Sequence, residues 1–173
     1  MTLAWSVVPA PAPVGALTVG ETTAGLVLVT FGARPEAARR AADRLGLQAA
    51  RHDGGAAAAQ IGEYLAGERT SFDLPLDWSL TSGRQRHVLQ VLHQTVEFGR
   101  TITYGELAAR TGQAEHPAAR GMGSIMGSNP VPVVVPCHRV LASDGLGGFG
   151  GGRAAKEWLL AHEGVLPATL DLF

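Results

Sequence analysis

The stretch Pro132-Val133-Val134-Val135-Pro136-Cys137-His138-Arg139-Val140 constrains the chain most, because it sets the only cysteine of 173 residues directly behind a run of valines. Three consecutive β-branched side chains are stiff and favour extended backbone, so the run predicts a fully buried strand. Pro136 has no N–H to donate, and strand pairing should stop there. The thiol then stands at the end of a rigid core element, beside the side chain that titrates nearest neutral pH. A lone cysteine is most often an inert core residue. A Cys-His pair just past a proline stop shifts the balance toward a nucleophile beside its base, with the inert core residue as the alternative.

A single cysteine permits no internal disulfide and suits a reducing, cytoplasmic setting. With no Cys/His set at ligand spacing, the sequence also argues against structural zinc. No basic-then-apolar secretory start and no membrane-length apolar run are present, so no membrane partner is expected either. The net charge of −1 hides a gradient, since residues 84–156 carry 8 basic against 4 acidic side chains. Such a segment can face phosphates, because local field rather than total charge steers an anionic partner.

In chain order, Val14–Gly20 and Gly25–Phe31 read as a strand pair, and Pro35–Leu45 as a helix opened by proline and closed by Gly46. Ala56–Leu65 is a second helix, and Phe72–Trp78 alternates as an edge strand would. Nothing in residues 1–78 carries chemistry, which makes them a small α/β support domain. Residues 79–173 form the second domain. They open with a helix running to about Phe98-Gly99, N-capped near Thr81 or Ser82. Thr103 and Glu106 spell a capping box for a short helix, and Pro117–Met126 follows as a small-residue helix, together a helix-turn-helix. Gly121 and Gly123 weaken that helix by about 1 kcal/mol each, which makes sense if a nucleic-acid groove approaches the backbone closely; a loop, or two helices packed only on each other, is the alternative and for a bare helix pair the commoner case. Ser143–Gly152 reads as a pocket lid around Phe149, and Arg153–His162 as the last helix. Glu163 at its end is misplaced for a helix C-terminus and hints at a specific partner.

Together these residues resemble the O6-alkylguanine-DNA alkyltransferases, the direct-reversal DNA repair proteins. The match runs from about Ser71 to Gly164 and includes Thr103-Tyr104-Gly105-Glu106-Leu107-Ala108, Ala118-Ala119-Arg120, Asn129-Pro130-Val131-Pro132, the Cys-His dipeptide and Lys156–Gly164. The resemblance implies an α+β fold, with a ribonuclease-H-like N-terminal domain and a mainly helical C-terminal domain. It implies that Cys137 accepts an alkyl group once and irreversibly. His138, bridged to it by a water and held by Glu163, takes the thiol proton. Asn129 braces the turn before the cysteine, and Tyr104 donates to guanine N3. Arg120 fills the gap left by the flipped base, while Ala119, Gly121 and Gly123 lie against DNA. Met126, Pro132 and Phe149 wall the pocket, and backbone groups of Cys137, Val140 and Gly150 read the base. The implied partner is duplex DNA carrying O6-alkylguanine, with O4-alkylthymine a second candidate lesion and a monomer the implied solution state.

The chain departs from the family pattern in a longer connection at Gln113–Pro117, in Gly127 for a basic residue, in Arg84 for an aromatic one and in Phe149 for tyrosine. Two other readings stand beside the transferase: a non-catalytic helix-turn-helix DNA-binding protein, and a cysteine hydrolase, for which no oxyanion-hole motif is evident.

Overall fold

The computed structural model of the chain describes residues 1–112 and 116–167, with the side chains of residues 116–120 outside that description. It divides into two units, Met1–Arg86 with Pro130–Val134, and His87–Asn129 with Val135–Phe173.

The first unit is built on a sheet of order β3-β2-β1-β4. Strands β1 (Thr2–Pro9), β2 (Ala16–Thr22) and β3 (Gly25–Phe31) form an antiparallel meander; α1 (Pro35–Leu45) crosses over, and β4 (Gln48–Arg51) returns parallel to β1 before α2 (Ala56–Leu65). Helix α1 has Pro35 in its first turn and Gly46 as its C-cap, as the sequence predicts. It buries Ala38, Ala41 and Ala42 in one cluster with Leu3, Trp5 and Val27. Each large side chain buried there stabilises by roughly 1.5–3 kcal/mol.

Sequence pattern anticipates neither β1 nor β4. Strand β1 is central and buried at four of its eight positions without regular alternation, so it carries no period-two signal. Strand β4 is four residues, Gln-Ala-Ala-Arg, of low strand preference, held by its register with Thr2–Trp5. Strand β2 also begins two residues later than expected, at Ala16 rather than Val14.

Residues 72–78 do not form the predicted edge strand. Leu26 N–H donates to Pro75 O at 2.9 Å and Asp77 N–H to Leu26 O at 2.8 Å, an isolated bridge that Pro75 cannot extend. The result is a strap along the outer edge of β3, anchored where the Thr22 and Ser79 hydroxyls donate to the Asp77 carboxylate. Gly25 permits that approach: its φ is +137°, and a Cβ there would lie 2.2 Å from Pro75 O.

The larger correction concerns Val133–Val135, which turn rather than extend. Pro130, Pro132 and Pro136 remove three donors, so no ladder can grow through the segment. Val133 takes φ +75°, a left-handed conformation that costs a side-chain-bearing residue about 1–2 kcal/mol. Burial of Val131, Val133, Val134 and Val135 offsets that strain, so the run is core as expected but not a strand.

Helix α3 (Gly83–Thr95) leads into the second unit and buries Val88, Leu89 and Leu92, stopping short of Phe98. Strand β5 (Ile102–Thr103) runs straight into α4 (Tyr104–Arg110), and α5 (His116–Gly127) completes the helix pair. Thr103 Oγ1 accepts from Glu106 N–H at 3.1 Å, the cap the spacing predicts. After a single 3₁₀ turn at Cys137–Arg139, β6 (Val140–Leu141) pairs in parallel with β5. This two-residue ladder ties the start of α4 to the cysteine turn. Helix α6 (Arg153–His162) has the predicted bounds. Residues 113–115 of the helix-pair connection and the 170–173 tail lie outside the described residues.

Candidate active site

The proline stop shapes the cysteine turn. Cys137 N–H donates to Val135 O at 2.8 Å and Arg139 N–H to Pro136 O at 2.9 Å, winding the segment instead of ending a strand. Asn129 Nδ2 donates to Val135 O at 2.9 Å and so ties together the two ends of the 130–134 excursion. The thiol is 5% exposed and His138 fully buried.

Helix α6 supplies the charges. Lys156 shares a buried face with Leu159 and Leu160, and its Nζ donates to Val140 O at 2.8 Å and Gly148 O at 3.2 Å. Glu163 is the C-cap of α6, where the helix dipole disfavours a carboxylate. Four donors offset that placement. His138 Nε2 reaches Oε2 at 2.7 Å, and Gly99 N–H reaches Oε1 at 3.4 Å. Arg139 grips both oxygens, Nε to Oε1 at 2.7 Å and Nη2 to Oε2 at 3.0 Å.

Burial opposes ionisation of Glu163, but the hydrogen bonds and charges of His138 and Arg139 hold its carboxyl well below the usual range. Burial pushes His138 below its usual 6.5, only partly offset by Glu163, so the imidazole is a neutral base at neutral pH. Its Nε2 carries the proton facing the carboxylate, and Nδ1 is buried with no partner among the described residues. Burial pushes the Cys137 thiol up to about 11, against the Asn129 hydrogen bond, the Lys156 charge and the N–H groups of Cys137 and His138. Burial, and then the neighbouring cysteine, also raise Tyr104.

An open cleft of about 430 Å³ lies in the same unit, lined by Tyr104, Gly123, Met126, Gly127, Ala142 and residues 147–150 with Phe149. Of the residues singled out from sequence, Tyr104, Gly123, Met126, Phe149 and Gly150 line it. Pro132 and Val140 are buried and do not; Pro132 belongs to the first unit. Cys137, His138 and Glu163 form the buried cluster, with half-buried Asn129 bonded at its edge. Gly121 lies on α5, as do Ala119 and Arg120, whose side chains are outside the described residues. No group of three or more potential metal ligands occurs among the described residues.

Residue pattern alone assigns no role to Arg139, Lys156 or Gly147. A lysine inside the apolar stripe of α6, at Ala155-Lys156-Leu159-Leu160, was the available signal for one of them. Gly147, at φ +77°, passes close to Tyr104: a Cβ there would be strained and would crowd the Tyr104 ring at 3.1 Å. That contact is invisible in a glycine-rich loop read as letters.

Fold and site together define a two-unit α+β protein in which a buried cysteine, backed by a His–Glu pair, accompanies a helix-turn-helix. Residues 10–78 match the ribonuclease-like domain of 6-O-methylguanine DNA methyltransferase, and residues 83–165 match its DNA-binding domain. The chain belongs to the 6-O-methylguanine DNA methyltransferase family. A methylated-DNA–protein-cysteine methyltransferase of Mycolicibacterium paratuberculosis is 47% identical over 116 residues, 66% of this chain and 68% of that protein. The mouse protein of the same name is 55% identical over 82 residues, 46% of this chain but only 38% of its own length. The Mycobacterium tuberculosis protein solved in complex with DNA superposes with a TM-score of 0.73 at 31% identity, covering 97% of this chain and 96% of that one.

Proposed function

We propose that the chain repairs duplex DNA by moving the alkyl group of O6-alkylguanine onto Cys137, once per molecule. The observation that carries this reading is the buried Cys137 thiol flanked by Asn129, Lys156 and a neutral His138 whose Nδ1 is the only ring nitrogen left to accept a proton. A base inside the helix is out of reach, so it must be flipped out at a cost of a few kcal/mol. Helices α4 and α5 serve that step: Ala119, Gly121 and Gly123 allow close approach, and Arg120 fills the vacated stack.

The thiol proton passes through a bridging water to His138 Nδ1, and the thiolate attacks the alkyl carbon. A sulfur–carbon bond forms as the carbon–O6 bond breaks, and the electron pair leaves with guanine. Tyr104 donates to N3 as density builds on the ring, and the proton taken from sulfur restores the neutral base, so the balance is thiol plus alkylguanine to thioether plus guanine. The thioether has no easy leaving group and the chain no second thiol, which makes the reaction stoichiometric and independent of a cofactor. A reducing cytoplasm keeps the thiol competent, and a monomer suffices.

Intact-mass measurement after incubation with an O6-methylguanine duplex tests the reading. One added methyl per molecule, saturating at one equivalent, is expected; Cys137→Ser should bind the duplex and gain nothing. Repeated turnover would point to a hydrolase, and binding with an unchanged mass to a non-catalytic DNA-binding protein. An O4-methylthymine duplex in parallel defines the lesion range.

A further inference from the structure

Arg139 is a buried charge to which the transfer chemistry gives no step. It is 6% exposed, and its remaining fork nitrogen, Nη1, donates to Val96 O at 2.7 Å, just past the end of α3. Nε and Nη2 meanwhile hold both oxygens of Glu163, and Oε2 serves Arg139 and His138 at once. A carboxylate facing an imidazole alone favours the imidazolium, which has no lone pair with which to take a proton. A bidentate guanidinium on the same carboxylate competes for that charge and fixes the edge presented to the ring.

We propose that Arg139 is a positioning residue for alkyl transfer: by gripping both oxygens of Glu163 it orients the carboxylate and keeps His138 neutral, with Nδ1 open to the thiol proton. This rests on the reading of His138 as the proton acceptor. The charged or titratable groups bearing on the imidazole are Glu163 and Lys156 from α6, and Cys137 and Arg139 from its own turn. Lys156 acts in the same direction as Arg139, but its ammonium is committed to two carbonyls. Cys137 is a neutral thiol until the reaction begins. A lysine at 139 would keep a charge yet lose the two-point grip.

The test uses full-length protein and two readouts. Nitrogen NMR of labelled histidine follows the protonation of His138 against pH, without DNA. Single-turnover transfer from an O6-methylguanine duplex is followed over the same pH range. The unmodified protein should show a neutral Nε2–H ring at pH 7. Arg139→Gln should raise the His138 midpoint by about one pH unit or more, roughly tenfold in proton affinity. The acid limb of the transfer profile should move with it, leaving the rate at pH 8.5 within a few-fold. Arg139→Lys, which keeps a cation where the neutral variant loses the fold, should shift both by a smaller amount. An unmoved midpoint with the rate lowered equally at every pH would overturn the proposal, as would an imidazolium at pH 7 in the unmodified protein. Absence of transfer in the unmodified protein would instead count against the repair reading, while the NMR comparison would still decide the influence of Arg139 on His138.

Discussion

The two units bury very different chemistry. The polar residues buried in the first are hydroxyls, Ser6, Thr18 and Thr81, around an aliphatic and aromatic core. The second buries a thiol, an imidazole, a guanidinium, an ammonium and a carboxylate: Cys137, His138, Arg139, Lys156 and Glu163. Taking such groups out of water is costly unless each is paired. The second unit pairs them as Arg139–Glu163–His138 and holds Lys156 on two carbonyls, leaving Nδ1 of His138 as the open valence. One unit has spent its interior on cohesion and the other on reactivity.

Three perturbations sharpen that contrast. The largest effect should come from Glu163→Gln, which removes the charge that orients His138. Single-turnover transfer should fall about 100-fold or more, within the range for losing general-base assistance. A variant transferring at the normal rate would show that the carboxylate is only a strut. Next, Leu3→Ala in the first unit should cost about 2–5 kcal/mol in denaturant unfolding. It should leave the transfer rate of folded molecules unchanged, and a rate change would mean that the units are not divided in this way.

The smallest effect is on stability against pH, and its sign follows from the shifts. The folded pKa of His138 lies below its usual 6.5, so as pH falls through 6.5 unfolded chains bind a proton the native ring refuses, and stability declines. Glu163, also lowered, adds a further loss below its usual 4.5. The Cys137 thiol, raised from 9.0 to about 11, works the other way: its contribution is full below pH 9 and lost as pH rises towards 11. His138→Gln should flatten the first slope and Cys137→Ser the last, as read by thermal melts. Slopes unchanged in both variants would place the linkage elsewhere.

Local signals explain what the sequence made legible. Helices α1 and α6 carry their own punctuation, Pro35 and Gly46 for one and a clear apolar stripe for the other, so their bounds are readable. The Thr103–Glu106 cap is likewise a contact three residues apart. Strand β4 is the opposite case, since nothing in Gln48–Arg51 asks to be extended until β1 is beside it. At Val133 two local rules compete: β-branching favours a strand, while the surrounding prolines deny it partners, and the prolines win. In the site, Cys137, His138 and Glu163 stood out by residue type. Arg139 did not, because its meaning lies in a carboxylate 24 positions away, and a distance of that kind is set only by the fold.

The strap at Pro75–Asp77 has a consequence of its own. Beneath it runs the outer border of β3, and strand borders left bare recruit copies of themselves or of other chains. Pro130 covers part of it by accepting from Val29 N–H, but the close pass of the strap depends on the absence of a single carbon atom at Gly25, since any substituent there would prise Pro75 away. The cover over that sheet edge thus leans on a position in the unit that carries none of the reacting groups.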